Sequence, residues 1–197
     1  MIKVCGRYTL FSDTEVQDIR AIIEEVQRKT NGEIKTGEIL PTDKAPVLIQ
    51  ESNKLVPELL KWGFPNFHNK GVLINARSET AEEKPMFRKC LYTKRCVIPS
   101  TGFYEWSHDG KKLKYQFNLP GVQSLYMAGL YNEFDGEKRF VILTAEANQS
   151  ISDIHNRMPV VLDQDRMSHW LLDTKAAIDI LAATPPQLIR IPAYTTA

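Results

Sequence analysis

The sequence has few of the features that mark a membrane, secreted or metal-dependent protein. No apolar run approaches the ~20 residues of a membrane-spanning helix, and the first residues do not show the basic-then-apolar pattern of a signal peptide. Only three cysteines occur, Cys5, Cys90 and Cys96, and no two of them are close in sequence. This odd, scattered set argues against a disulfide framework and against the short ligand spacings of a zinc site. We therefore expect a cytoplasmic protein without a metal or other cofactor.

An excess of charge of one sign is also absent. The chain has 25 Lys and Arg against 24 Asp and Glu, a formal net charge of +1. Any binding of nucleic acid must then depend on a local patch, because the molecule as a whole supplies almost no attractive field. The composition, 43% hydrophobic and 25% charged over 197 residues, matches one globular domain spanning residues 1–197. A core of this size needs no disulfide or metal to be stable.

A helix is predicted near the start of the chain. Ser12 and Glu15 have the spacing of a capping box, and Asn31-Gly32 is a typical helix stop. Between them, apolar residues recur at helical spacing. They are Val16, Ile19, Ile22, Ile23 and Val26.

The middle of the chain, to about residue 145, has the pattern of short strands. Asp109-Gly110 and Asp135-Gly136 predict hairpins, and helical patterns return over 164–172 and 174–183. This order predicts an α+β domain, an antiparallel sheet or open β-barrel flanked by helices. The predicted strands are 47–50, 72–74, 95–98, 115–119, 125–131 and 139–144.

Several segments are richer in polar and aromatic residues than packing alone requires. Taken singly, none is specific, because an Arg beside a strand is commonly a solvated surface group and a lone Cys a small buried hydrophobe. Taken in order, they resemble the SRAP (SOS response-associated peptidase) family, whose members cross-link to abasic sites in single-stranded DNA. The matching segments are Cys5-Gly6-Arg7-Tyr8, Leu60-Lys61-Trp62-Gly63, Ile74-Asn75-Ala76-Arg77-Ser78-Glu79-Thr80, Phe87-Arg88, Arg95-Cys96-Val97-Ile98-Pro99, Gly102-Phe103-Tyr104-Glu105-Trp106, Ala128-Gly129-Leu130-Tyr131 and His155-Asn156-Arg157-Met158-Pro159.

The chain departs from the family pattern at three places. The Asn-x-x-Pro-Thr segment is kept only as Pro41-Thr42, preceded by Gly37-Glu38-Ile39-Leu40. The family's further Val-Ser…Val-Asn stretch does not follow Ile191-Pro192. Residues 1–4 precede the cysteine that in the family follows the initiator methionine. They are a leader that the fold removes or the product of a misassigned start, with Val4 read from a GTG codon, and we favour the start codon.

The resemblance implies a covalent chemistry for Cys5. An abasic sugar opens to an aldehyde, and a cysteine with a free α-amine can attack it with both nitrogen and sulfur to close a thiazolidine ring. Reference pKa values of about 7.8 for an α-amine and about 10.4 for lysine leave the α-amine about 400-fold more often neutral near pH 7. The family match implies that the catalytic residues are Cys5, Asn75, Glu105 and His155, with Glu105 as proton shuttle.

The resemblance also implies a DNA-binding set and a partner. Arg7 and Arg77 are expected to hold phosphates, and Pro41, Trp62 and Trp106 to stack on or wedge between bases. Two phosphate contacts predict a log–log salt slope of about −1.4 for a single strand. The expected partner is single-stranded DNA containing an abasic site, including sites at junctions with duplex, bound by a monomer that does not contact membranes and joins the nucleoid only through damaged DNA.

Two other functions fit the same residues. A thiol peptidase would use Cys5 as nucleophile and His155 as base, and would need no free amine. A non-covalent binder of single-stranded or modified DNA would use the basic and aromatic residues alone. Only the cross-linker requires the Cys5 α-amine, and only a covalent adduct survives a denaturing gel.

Overall fold

Mainly antiparallel sheets and four α-helices make up the fold in a computed structural model that describes residues 5–12, 16–67, 70–108 and 110–193. The α-helices are α1 (Gln17–Thr30), α2 (Pro85–Thr93), α3 (Gln164–Leu172) and α4 (Thr174–Ala182), with a 3-10 turn at Ser78–Thr80. The strands are β1 (Tyr8–Leu10), β2 (Gly37–Ile39), β3 (Lys44–Glu51), β4 (Lys54–Trp62), β5 (Phe64–Pro65), β6 (Val72–Leu73), β7 (Asn75–Arg77), β8 (Arg95–Ser100), β9 (Gly102–Trp106), β10 (Lys114–Asn118), β11 (Leu125–Phe134), β12 (Glu137–Glu146), β13 (Arg157–Pro159), β14 (Val161–Leu162) and β15 (Ile189–Pro192).

Five strands close into a barrel, in the order β12-β4-β3-β8-β11, with β11 pairing back onto β12. The α+β prediction is confirmed, but the barrel is closed rather than open. The Asp135-Gly136 hairpin between β11 and β12 makes the closure, with both residues at positive φ as a tight primed turn requires. Strand β7 pairs in parallel with β12, which places Asn75 opposite Ile142 on the barrel wall.

A second sheet has the strand order β15-β10-β9-β1-β2. Its strands come before, between and after the barrel strands in sequence. The chain passes from the barrel to this sheet at Gly102, whose φ is +133°. A Cβ at Gly102 would lie 2.7 Å from Nε2 of Gln116, so only glycine fits this crossing without movement. Strand β1 then pairs with β9, Tyr8 opposite Phe103, and brings the start of the described chain alongside Glu105.

The helices cover the outside of the sheets. Helix α1 buries Ile19, Ile23 and Val26 and ends at Asn31, which has the left-handed conformation predicted for the stop. The predicted capping box is not confirmed, because the helix begins after Val16 without a side-chain cap and Glu15 lies outside the described residues. Helices α3 and α4 confirm the sequence prediction. Within the described ranges, none of the helices is long and apolar enough to cross a bilayer.

Candidate active site

Cys5 and Glu105 form a buried pair at the junction of β1 and β9. The main-chain nitrogen of Cys5 donates a hydrogen bond to Oε1 of Glu105 over 2.5 Å. The pairing of β1 with β9 continues toward Cys5, since the amide of Tyr104 donates to the carbonyl of Arg7 over 2.9 Å. Cys5 is fully buried and Glu105 is only 5% exposed. The site therefore brings together a sulfur, a nitrogen and a carboxyl away from bulk water.

Strand alternation explains why Glu105 points inward. Successive side chains of a strand face opposite sides, so Glu105 shares a side with Phe103, while Tyr104 and Trp106 share the other. Burial raises the pKa of Glu105 to about 7, against the opposing effect of hydrogen bonds from the backbone of Cys5 and Trp106. A carboxyl that titrates near neutral pH can both give and accept a proton during a reaction.

The thiol of Cys5 has a different electrostatic environment. Burial, and secondarily the charge of Glu105, raise its pKa well above the ordinary value. A nucleophilic thiol in a hydrolase normally has a lowered pKa from a neighbouring cation. Cys5 is thus held as a neutral thiol next to a proton acceptor.

A cleft of about 740 Å³, lined by both polar and apolar residues, adjoins this pair. Asn75 and Arg77, on the same side of β7, line it together with His155 from the loop before β13. Arg77 is exposed, so its guanidinium is accessible to an anion entering the cleft. The structure therefore brings three of the residues predicted from sequence to one place.

His155 is held in one orientation by its own loop. Its Nδ1 accepts a hydrogen bond from the amide of Arg157 over 3.1 Å, so the neutral ring carries its proton on Nε2. Burial lowers the pKa of His155, and the neighbouring charges of His108 and Arg157 lower it further. The Arg157 guanidinium is fixed by two hydrogen bonds to Glu79, of 2.7 and 2.9 Å, and one of 2.6 Å to the carbonyl of Thr144. His155 is thus a neutral hydrogen-bond donor at neutral pH.

The buried pair and the cleft are neighbours but are not open to each other. Among the described residues, neither Cys5 nor Glu105 lines the cleft. They adjoin it through Gly6, where an added Cβ would lie 3.9 Å from Cδ1 of Ile74, a residue of the cleft wall. His108, shortly after Glu105, also lines the cleft. Cys5 is fully buried, so a ligand in the cleft reaches it only once Cys5 becomes exposed.

The outer side of β9 carries a platform of aromatic and charged residues. The Arg7 guanidinium lies 5.2 Å from the Trp106 ring centroid, and Nζ of Lys114 lies 3.7 Å from that of Tyr104. Both cations bond to Glu38, with Nη1 of Arg7 2.7 Å from Oε2. Sequence reasoning missed Lys114 and Glu38. The Asp109-Gly110 signal predicts that β10 pairs with β9, although Asp109 lies outside the described residues, and the observed register of this pair sets Lys114 opposite Trp106.

Of the other two residues expected to contact bases, one is in the core. The expectation for Trp62 is wrong for this structure, because its indole is fully buried, packs against Tyr8 and Phe140, and donates from Nε1 to the carbonyl of Ile74 over 3.0 Å. It has no face left for a base. Pro41 is half-buried in the turn between β2 and β3, and its stacking on bases stays a prediction.

The remaining cysteines are packed as hydrophobes. Cys90 and Cys96 are buried free thiols on α2 and β8, and burial raises the pKa of each. The part of the chain that the structure describes contains no group of three His, Cys, Asp or Glu side chains placed to hold a metal ion.

Fold and site together define a class: a closed-barrel domain with a sheltered cysteine and carboxyl beside a cleft. Residues 4–193 match the family described as SOS response associated peptidase (SRAP), and the chain belongs to that family. It is 33% identical over 191 residues to the abasic site processing protein YoaM of Bacillus subtilis, covering 90% of this chain and 83% of that protein. It is 29% identical over 192 residues to the abasic site processing protein YedK of Escherichia coli, covering 91% and 86%.

Solved structures share the fold. The crystal structure of a protein from Bacteroides thetaiotaomicron matches with a TM-score of 0.78 at 22% identity, over 96% of this chain and 92% of that chain. This likeness is to the fold alone.

Proposed function

We propose that this protein recognises an abasic site in single-stranded DNA and forms a thiazolidine cross-link to it through the α-amine and thiol of Cys5. The observation that carries the proposal is the 2.5 Å hydrogen bond from the Cys5 nitrogen to Glu105. It places the one nitrogen that the chemistry needs against a carboxyl whose pKa is about 7. The names of the relatives, abasic site processing proteins, support the same substrate.

The reaction proceeds in two additions at the sugar C1′. The neutral Cys5 amine adds to the ring-opened aldehyde to give a carbinolamine, which loses water to give an imine. The thiol then adds across the imine carbon, its proton passing to nitrogen, and closes the five-membered ring. Aldehyde and aminothiol thus become thiazolidine and one water, with no oxidant or reductant.

Glu105 is the group placed to move these protons. It accepts a proton from the attacking amine and returns it to the carbinolamine hydroxyl as that group leaves as water. His155 donates from Nε2 to the sugar oxygen, which assists ring opening. Asn75, in the same cleft, orients the opened sugar.

The DNA strand runs along the cleft and the platform beside it. Arg77 in the cleft and Arg7 on the platform bind phosphates, since guanidinium donors match phosphate oxygens. Trp106 stacks on a base next to the lesion, with Pro41 at the turn between β2 and β3 as a second contact. Junctions with duplex fit the same arrangement, and a monomer suffices for it.

The chemistry requires Cys5 to carry a free amine. An amide nitrogen after Val4 has no basic lone pair and cannot form the imine. The proposal therefore needs a mature protein that starts at Cys5. Translation from Val4 followed by methionine removal, or cleavage of the Val4–Cys5 bond by the fold itself, would each produce that start.

A peptidase that acts through the Cys5 thiol alone is less well supported. Its thiol would need a cationic partner, whereas Cys5 lies against Glu105 and has a raised pKa. Cleavage of the Val4–Cys5 bond by attack of the Cys5 thiol on the Val4 carbonyl would use Glu105 differently, to move a proton to the Cys5 nitrogen that it contacts.

The deciding experiment compares two proteins that differ by one residue. One begins at Cys5, and its control carries a single alanine before Cys5, which keeps the thiol but converts the α-amine to an amide. Each is incubated with a single-stranded oligonucleotide that contains one abasic site, then run on a denaturing gel, with intact masses verified. We expect an adduct only with the first protein. An adduct of equal yield through Cys5 in the alanine-extended protein would refute the aminothiol mechanism.

A further inference from the structure

Glu38 bridges the two cations of the platform on β9. Its carboxylate is bound by Arg7 and by Lys114, which lie over the rings of Trp106 and Tyr104 respectively. One carboxylate thus neutralises one of the two positive charges that face solvent here. The Glu38 carboxylate resembles a bound phosphate, because two cations converge on its oxygens above an aromatic surface.

This carboxylate is also a departure from the family pattern that the chain resembles. In the segment Glu38-Ile39-Leu40-Pro41-Thr42, Glu38 occupies the position that is asparagine in the family's Asn-x-x-Pro-Thr segment. An amide at this place would carry no charge and would leave both cations to an incoming anion. The substitution adds an acceptor with a full negative charge, which both cations prefer.

We propose that Glu38 is an internal substitute for a DNA phosphate, and that a single strand must displace it before Arg7 and Lys114 can bind the backbone. The inference rests on the proposed function, because it takes single-stranded DNA as the ligand. It adds Lys114 to the DNA-binding residues and makes Glu38 a residue that weakens binding and reduces its dependence on salt.

The cluster is placed so that such an exchange is feasible. The side chains of Arg7, Glu38 and Lys114 are 33%, 35% and 20% exposed, so solvent and ligand reach all three. Ion pairs at this exposure contribute little to stability, and breaking them does not endanger the fold. Burial acts to raise the pKa of Glu38, but the hydrogen bonds and charges of Lys114 and Arg7 outweigh it and lower the pKa below its ordinary value. The carboxylate is therefore charged at neutral pH and repels a phosphate.

The test measures binding of a lesion-free, fluorescein-labelled single-stranded oligonucleotide by anisotropy over a series of KCl concentrations. The variant is Glu38→Gln, which keeps the shape and removes the charge. The control is Glu58→Gln, because Glu58 pairs with Lys138 at similar exposure on the barrel and changes net charge equally. We expect Glu38→Gln to bind about fivefold more tightly than the control, the worth of one exposed charge interaction. We also expect its log–log salt slope to be steeper by about 0.7 for each phosphate gained.

A second substitution tests whether Lys114 is the cation that provides the gain in binding. Adding Lys114→Ala to Glu38→Gln should remove most of the gain in affinity and in slope. Equal binding by the Glu38→Gln and Glu58→Gln proteins, weaker binding by Glu38→Gln, or a gain that persists without Lys114 would each overturn the inference. Because the strand has no lesion, this result is separate from cross-linking: binding without an adduct on abasic DNA would refute the proposed function and leave the role of Glu38 standing.

Discussion

The backbone nitrogen of Cys5 and Oε1 of Glu105 are joined by a 2.5 Å hydrogen bond between residues one hundred positions apart. The bond depends on β1 pairing with β9, which aligns the start of the chain with the strand that holds the carboxyl. It also depends on strand alternation, which turns Glu105 inward. One backbone register thus sets both the position of the reacting nitrogen and the dry environment of its proton acceptor.

Glu105→Gln in the protein that begins at Cys5 should slow adduct formation far more than it weakens binding. Loss of a proton-transfer group commonly costs about 10²–10⁴ in rate, while the amide keeps the size and the hydrogen-bond acceptor. The measurement is the single-turnover rate of adduct formation at saturating protein, alongside Kd from anisotropy. A wild-type rate at saturation would remove Glu105 from the chemistry.

Arg77→Ala should show the opposite behaviour. Arg77 is exposed in the cleft and is assigned to phosphate binding, so its loss should raise Kd and change the saturated rate little. Comparison with Arg166→Ala, an exposed arginine on α3, controls for the loss of one positive charge. If Arg77→Ala instead lowers the saturated rate as strongly as Glu105→Gln, Arg77 acts in the reaction step.

Glu105 should also make stability fall as pH rises. Its pKa is about 7 in the folded protein against 4.5 ordinarily, so between these values the folded chain keeps a proton that the unfolded chain releases. The free energy of unfolding should therefore decrease from about pH 4.5 upward, by about 3 kcal/mol once the pH is above 7. Glu105→Gln removes this dependence.

The measurement is urea unfolding of the printed sequence and its Glu105→Gln variant at several pH values from 5 to 8. The variant should gain on the wild type from pH 5 to about 7, keep that gain at higher pH, and be the more stable protein at pH 8. His155 has a lowered pKa, which makes the free energy of unfolding decrease as the pH is lowered. This contribution is the same in both proteins and cancels when the difference between them is taken. A difference that does not change with pH would mean that the pKa of Glu105 is not raised.

The two other cysteines should be dispensable. Cys90 and Cys96 are buried on α2 and β8, do not line the cleft, and behave as small hydrophobes. A protein that begins at Cys5 and carries Cys90→Ser and Cys96→Ser should still form the adduct, with some loss of stability. Loss of the adduct in a protein that keeps its circular dichroism spectrum would assign one of them a role.

Local sequence signals predicted the elements that they encode directly. The hairpin at Asp135-Gly136 and helices α3 and α4 follow from turn chemistry and apolar periodicity. Helix α2 was missed although its buried residues Phe87, Cys90 and Leu91 have helical spacing, because its nine residues lie within strand-like sequence. The β3–β4 hairpin was missed as well, since Ser52 and Asn53 make its turn at positive φ without a glycine. Barrel closure depends on pairings between distant strands, which no local pattern specifies.

The site divides in the same way. Motif resemblance predicts Cys5, Asn75, Glu105 and His155 as site residues, but not which way each side chain faces. Alternation within Tyr104-Glu105-Trp106 requires the aromatic residues and the carboxyl to face opposite sides, and only the packed sheet decides which side is buried. The role of Glu38 depends on contacts across β2, β1, β9 and β10, and these contacts exist only once the sheet has formed.

The two tryptophans assigned to bases from sequence should separate cleanly. Trp62 is a core residue between Tyr8 and Phe140, so Trp62→Ala should lower the free energy of unfolding by about 3–5 kcal/mol, as large cavities in cores do. Trp106 is half-buried beside Arg7, so Trp106→Ala should change stability little and weaken binding of a single strand by about 1–3 kcal/mol, the worth of one stacked base. The milder Trp62→Phe keeps the protein folded and should bind as the wild type does. A selective loss of binding in Trp62→Phe, with Trp106→Ala unaffected, would return Trp62 to the DNA interface and reverse the correction made from its burial.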